Sequence, residues 1–234
     1  MITKPLLGAA MGLALAGVAQ ADEPRSVGAS HLFAPQGYDD NDEIVVVASG
    51  FLPNTCYQLT TPLVKTNLAT RTISIDLKSH VNPNPCVNVP VPFEQEVDLG
   101  SLPVGDWTLE TTIGSLRTTL NVVQSPNESP DAYLYAPIDQ VNVSFDAGSG
   151  RWTALLTGDL LASCLEIKET KVLGQGAVVV LLPILEQRDD VCQPTSEHFN
   201  LRVLLPEDLN PGLHLLHVRS LNGRGLNRIF DVRL

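Results

Sequence analysis

The chain has 234 residues, of which 44% are hydrophobic, 18% charged and 5% aromatic, and its 15 Lys and Arg against 26 Asp and Glu give a formal charge of −11. That apolar content excludes a fully disordered chain, and the length lets each half bury a core of its own. The negative charge argues against nucleic acid or an anionic lipid surface as a partner.

Met1 to Ala21 reads as a secretory signal peptide. Lys4 supplies the positive start, Leu6 to Val18 is an uncharged apolar run, and Ala19-Gln20-Ala21 has the small-x-small form of a cleavage site. The run is too short to span a bilayer as a helix, and no later segment is long and apolar enough to do so. The expected product has 213 residues and a charge of −12. It would be exported to the periplasm or the medium, with no membrane span after cleavage.

Export changes the reading of Cys56, Cys86, Cys164 and Cys192, because in an oxidising compartment four cysteines suggest two disulfides. There is no Cys-x-x-Cys, so neither a redox pair nor a zinc knuckle is expected. Four cysteines allow three pairings, and an internal repeat bears on the choice. Gly50-Phe51-Leu52-Pro53-Asn54-Thr55-Cys56 recurs as Gly158-Asp159-Leu160-Leu161-Ala162-Ser163-Cys164, 108 residues on. Cys86 precedes Phe93 by seven positions, as Cys192 precedes Phe199. The turns Leu102-Pro103-Val104-Gly105 and Leu209-Asn210-Pro211-Gly212 match, as do Gly114-Ser115 and Asn222-Gly223. A period this long is that of a whole small domain. The expected organisation is therefore a signal peptide over residues 1–21, one domain over 30–123, a polar linker over 124–130 with Pro126 and Pro130, and a second domain over 131–234. The repeat favours Cys56–Cys86 and Cys164–Cys192, since a cross-domain pairing would break the equivalence.

Within each module the period is two. Leu116, Thr118, Leu120 and Val122 alternate with polar neighbours, as do Phe230, Val232 and Leu234. Glu43 to Val47 and Gly176 to Leu182 are β-branched runs of the buried-strand type, and turn signals recur at short spacing. No segment reads clearly as a helix of three turns. The expected fold is all-β: two tandem antiparallel β-sandwich domains, each with one disulfide. In this arrangement the chain resembles bacterial secreted proteins built from tandem immunoglobulin-like or fibronectin III-like domains. Unlike antibody domains, its paired cysteines lie 30 and 28 positions apart, and Trp107 and Trp152 do not occupy matching places.

There is no Gly-x-Ser-x-Gly elbow, His-Glu-x-x-His, phosphate loop or dinucleotide fingerprint, and the one cofactor the sequence suggests is a calcium ion. On a strand, His214 and His217 would point to opposite faces and could not share a metal. The acidic run from Gly37 to Glu43 is the most distinctive segment. Asp39, Asn41 and Glu43 would be the ligands if it held calcium, although it also suits a solvated turn before a strand. Arg219, Arg224, Arg228 and Arg233 crowd the last 16 residues and would dock an anionic partner or the acidic face of another copy of the chain, although exposed strand positions also simply carry Arg.

The expected function is an exported, non-catalytic binding, adaptor or structural protein of a cell envelope, acting on an unknown envelope protein or by self-association. The alternatives are a periplasmic chaperone for surface subunits, and a carbohydrate- or calcium-binding module. With 12 aromatic residues for two cores, few remain for stacking on sugars.

Overall fold

The computed structural model describes residues 23–233 apart from Pro130, so the signal-like segment lies outside the described residues. Among the described residues every regular element is a strand. The first module contributes β1 (Arg25–Ser26), β2 (His31–Phe33), β3 (Tyr38–Asp39), β4 (Ile44–Leu52), β5 (Tyr57–Asn67), β6 (Thr72–Val81), β7 (Val91–Gly100), β8 (Gly105–Thr111) and β9 (Arg117–Val123). The second contributes β10 (Gln140–Asp146), β11 (Arg151–Ala162), β12 (Leu165–Gln175), β13 (Val178–Gln187), β14 (Pro194–Leu204), β15 (Gly212–Ser220) and β16 (Arg224–Val232).

Each module is a sandwich of a three-stranded and a larger sheet. The small sheets run β2-β4-β7 and β10-β11-β14; the large ones run β5-β6-β8-β9 and β12-β13-β15-β16. Alternation puts Val46, Ala48 and Val97 of one sheet against Ile73, Ile75, Leu77 and Trp107 of the other. In the second module Ala154, Leu156 and Val203 meet Val179, Leu181, Leu216 and Val218. Both large sheets share one departure from antiparallel pairing. Thr72–Ile75 runs parallel to Thr108–Thr111, and Val178–Leu181 runs parallel to Leu215–Val218.

The repeated landmarks have structural causes. Gly50 lies directly opposite Phe93 across β4 and β7, and Gly158 directly opposite Phe199 across β11 and β14. A Cβ at either glycine would sit 3.1 Å from the opposing ring, so glycine here makes room for the phenyl group. The cysteines bond as Cys56–Cys86 and Cys164–Cys192, with Cα atoms 5.3 and 5.0 Å apart. The hydroxyl before each first cysteine tightens its loop: Thr55 Oγ1 accepts from Val87 N at 2.9 Å, and Ser163 Oγ from Gln193 N at 3.3 Å. Gly105 and Gly212 open β8 and β15 with φ of 139° and 125°, conformations that disfavour any side chain.

Trp107 also has a counterpart, and it is a histidine. Trp107 Nε1 donates to Pro103 O at 2.9 Å, and His214 Nε2 to Asn210 O at 2.7 Å. Both rings are buried two residues after the matching glycine, and each closes the turn that precedes its strand.

One difference between the modules shapes their surroundings. The β10 strand stays on β11 as far as Asp146–Arg151, but its counterpart β2 leaves β4 after Phe33–Val47. Pro35 follows at once and cannot donate to the ladder. The chain crosses instead to the large sheet, where β3 runs parallel to Val122–Val123 of β9.

Candidate functional site

The modules meet over a buried seam. Phe33 and Val47, on the outer face of the first module's small sheet, pack with Tyr135, Val178, Val180, Leu182, Ile184 and Leu215 of the second. This explains why β13 is buried at every position from Val178 to Leu185. Its odd residues face the sandwich core and its even residues face the neighbouring module.

At one side of the seam sits a cluster of polar groups. Arg219 of β15 is 4% exposed and its guanidinium bonds the carboxylate of Asp42, which is fully buried. Asp42 Oδ2 also accepts from Asp39 N at 2.8 Å. The guanidinium carbon lies 4.9 Å from the centroid of Tyr38 and 5.9 Å from that of Tyr135, so two aromatic rings add to the ion pair. Tyr38 Oη is fixed by donating to Val45 O at 2.9 Å, and burial pushes its pKa up to about 12. Burial pushes the Asp42 carboxyl upward too, opposed by the Arg219 charge.

His217 lies beside this cluster, its ring centroid 5.7 Å from that of Tyr38. Its Nδ1 donates to Asn227 Oδ1 at 2.9 Å, while Asn227 Nδ2 donates across the seam to Glu96 Oε1 at 2.8 Å. Its Nε2 is buried and has no partner among the described residues. Burial, helped by the nearby Arg219 charge, lowers its pKa to about 4, so the ring is neutral at ordinary pH. His214 points the other way, into the sandwich core against Phe230, so the two histidines do take opposite faces of β15.

The acidic run serves the seam and the linker. Asp39 Oδ1 accepts from Asn41 N at 2.9 Å, Asp40 Oδ1 accepts from Ser125 N at 2.7 Å, and Asn41 Nδ2 donates to Asn127 O at 2.8 Å. Asp39 is buried and Glu43 is exposed, and the side chains of Asp39 and Asn41 are both engaged with backbone groups. Among the described residues no group of three His, Cys, Asp or Glu side chains could hold a metal ion.

The arginine patch needs a correction. Arg224, Arg228 and Arg233 are exposed, with Arg233 Nε donating to Asp231 Oδ2 at 2.6 Å, but Arg219 is drawn inside and spent on Asp42. The cause is strand parity, which places Arg219 on the seam face of β15 with Leu213, Leu215 and His217. Sequence reasoning missed Tyr38, Asp42 and Tyr135, and weighed His217 only as a metal ligand. Its available signal was one arginine closing the otherwise uncharged run from Gly212 to Val218.

An open groove of about 580 Å³ follows the seam at the surface. Phe51, Pro92 and Phe93 line one wall, and Leu213, Ile229 and Arg233 line the other. Phe51 is 62% exposed there. No helix of the described residues is long and apolar enough to cross a membrane, and the two disulfides are compatible with export.

No curated protein and no solved structure matches the chain. Residues 46–122, which run from β4 to β9 and make up about a third of the chain, match the model of one family. The first module is thus similar to the ORF11 beta-sandwich domain.

Proposed function

We propose that the chain is an exported, non-catalytic binding or adaptor protein of a bacterial cell envelope, built from two copies of one β-sandwich module. The observation that carries this reading is the seam. Two similar modules are held in one fixed relation by an apolar interface and the buried Arg219–Asp42 pair. Such a body suits a rigid spacer or two-point binder, because little conformational freedom is lost when both modules engage a partner. The groove beside Phe51 is the surface where a partner would touch both modules at once. The acidic balance favours a partner that is not itself strongly anionic.

The test is to place a photo-crosslinking side chain at Phe51 and, as a control, at Leu68, which is exposed away from the groove. Each variant would be expressed in the source organism. One or two defined adducts from position 51, absent from position 68, support the reading, and an adduct with a second copy specifies self-association. Indistinguishable smears from both positions would remove it.

A further inference from the structure

The two modules differ most where β2 leaves β4 and β10 does not leave β11. In the first module the freed chain forms β3 and buries Tyr38 against the sandwich core beside β9. In the second, no strand among the described residues pairs with the matching edge of β16. An open hollow of about 570 Å³ lies there, beside Val232 and between the β10–β11 hairpin and the loop after β14. That volume is within the range of small-ligand sites. Trp152 stands at the position corresponding to Ile44, which is fully buried, yet Trp152 is only half-buried. Phe145, opposite it in register, is 54% exposed and meets the indole edge-on with centroids 5.8 Å apart. The internal repeat thus closes this place in one copy and leaves it open, with aromatic walls, in the other.

We infer that this hollow binds a neutral saccharide. The apolar face of a pyranose ring stacks on Phe145 beside Trp152. Its hydroxyls meet a rim that offers both donors and acceptors. Arg151 is anchored by an Nη2 donation to Leu205 O at 2.7 Å, and its Nη1 lies 3.1 Å from Glu207 Oε1. The exposed Glu207 carboxylate and the Ser149 hydroxyl, which donates to Asp146 Oδ2 at 3.0 Å, complete the rim as acceptors. A guanidinium paired with a carboxylate presents donors next to acceptors, the arrangement that a vicinal diol satisfies. Arg233 at the border is likewise balanced by Asp231. The hollow has no surplus positive charge to attract an anion, and this selects an uncharged sugar over an acidic one.

Only two tryptophans exist, and Trp107 is buried in the other module, so Trp152 emission reports the hollow directly. The experiment titrates the purified chain with tetrasaccharides of glucose, mannose, galactose and N-acetylglucosamine. A saturable emission change with at least one is expected, weakened about tenfold or more in both Phe145→Ala and Glu207→Gln. Near-ultraviolet circular dichroism would verify that each variant folds, and calorimetric titration would repeat the measurement without the optical probe. The inference fails if no neutral sugar gives a saturable signal, or if both variants bind as the parent does. It fails also if only acidic polysaccharide binds and salt abolishes the binding. A crosslink at Phe51 that persists in Phe145→Ala would leave the adaptor reading intact whatever the sugar result.

Discussion

Arg219 shows how much one side chain depends on its partner. Both members of the Arg219–Asp42 pair are buried, so removing one leaves an uncompensated charge away from water. Arg219→Met is expected to lower stability by about 3–5 kcal/mol. Adding Asp42→Asn should recover a large part of that loss, because the stranded charge is then gone. Urea unfolding of the two variants checks this, and equal losses in both would contradict it. His217 sets a pH dependence through the same cluster. Its folded pKa of about 4 lies below the ordinary 6.5, so the unfolded chain binds the proton more readily. The stability contributed by the neutral ring is present above about pH 6.5 and is lost as pH falls toward 4. Across that window the loss amounts to about 3 kcal/mol. Asp42, raised by burial, acts in the opposite sense, since the folded chain then holds that proton more readily than the unfolded one. Unfolding measured at pH 7 and pH 4.5 should therefore show a steeper decline in the parent than in His217→Gln.

At the scale of elements, the repeated glycines and cysteines belong to one substructure. A strand carrying the glycine passes under the phenyl ring of its neighbour and then enters the disulfide loop. The two glycines differ in their surroundings. A Cβ at Gly50 would meet Phe93 and Ser30 N at 3.1 Å, but at Gly158 it would overlap the Pro137 carbonyl. Gly158→Ala is expected to destabilise by about 2 kcal/mol or more and Gly50→Ala by less, because an overlap with backbone forces a shift that contacts at 3.1 Å do not. Thermal melts of the two variants would order them. The disulfides close loops of 30 and 28 residues, for which loop entropy gives about 3.5 kcal/mol each. Replacing either pair by serine should lower stability by similar amounts, and non-reducing peptide mapping should recover both pairs.

For the whole molecule, the seam makes the modules interdependent. Val178, Val180, Leu182, Ile184 and Leu215 form an apolar face that only the neighbouring module covers. An uncovered patch of this kind promotes association of a separated module. The intact chain is expected to unfold in one calorimetric transition, and residues 131–234 alone to aggregate or melt well below it. Two independent transitions in the intact chain would show that the seam carries little energy.

Much of this architecture follows from local pattern. Alternation, turn residues and the repeat determined the strand class, the duplication and the disulfide pairing, because each rests on spacing along the chain. Trp107 and His214 show where such spacing stops informing. They share a position and a hydrogen bond but not a residue type, so a search for matching tryptophans overlooks them. Which faces are buried twice was decided only in three dimensions. The parity of Arg219 was readable, but whether that face meets water or another module depends on how the modules dock. Asp42 has the same composition and neighbours as a solvated turn carboxylate, and it becomes a buried counter-ion only because Arg219 arrives from 177 residues away. The hollow beside Trp152 is likewise a tertiary outcome. It follows from Pro35 steering one copy of the chain off its sheet while the other copy stays, which opens an edge that the repeated sequence alone would leave closed.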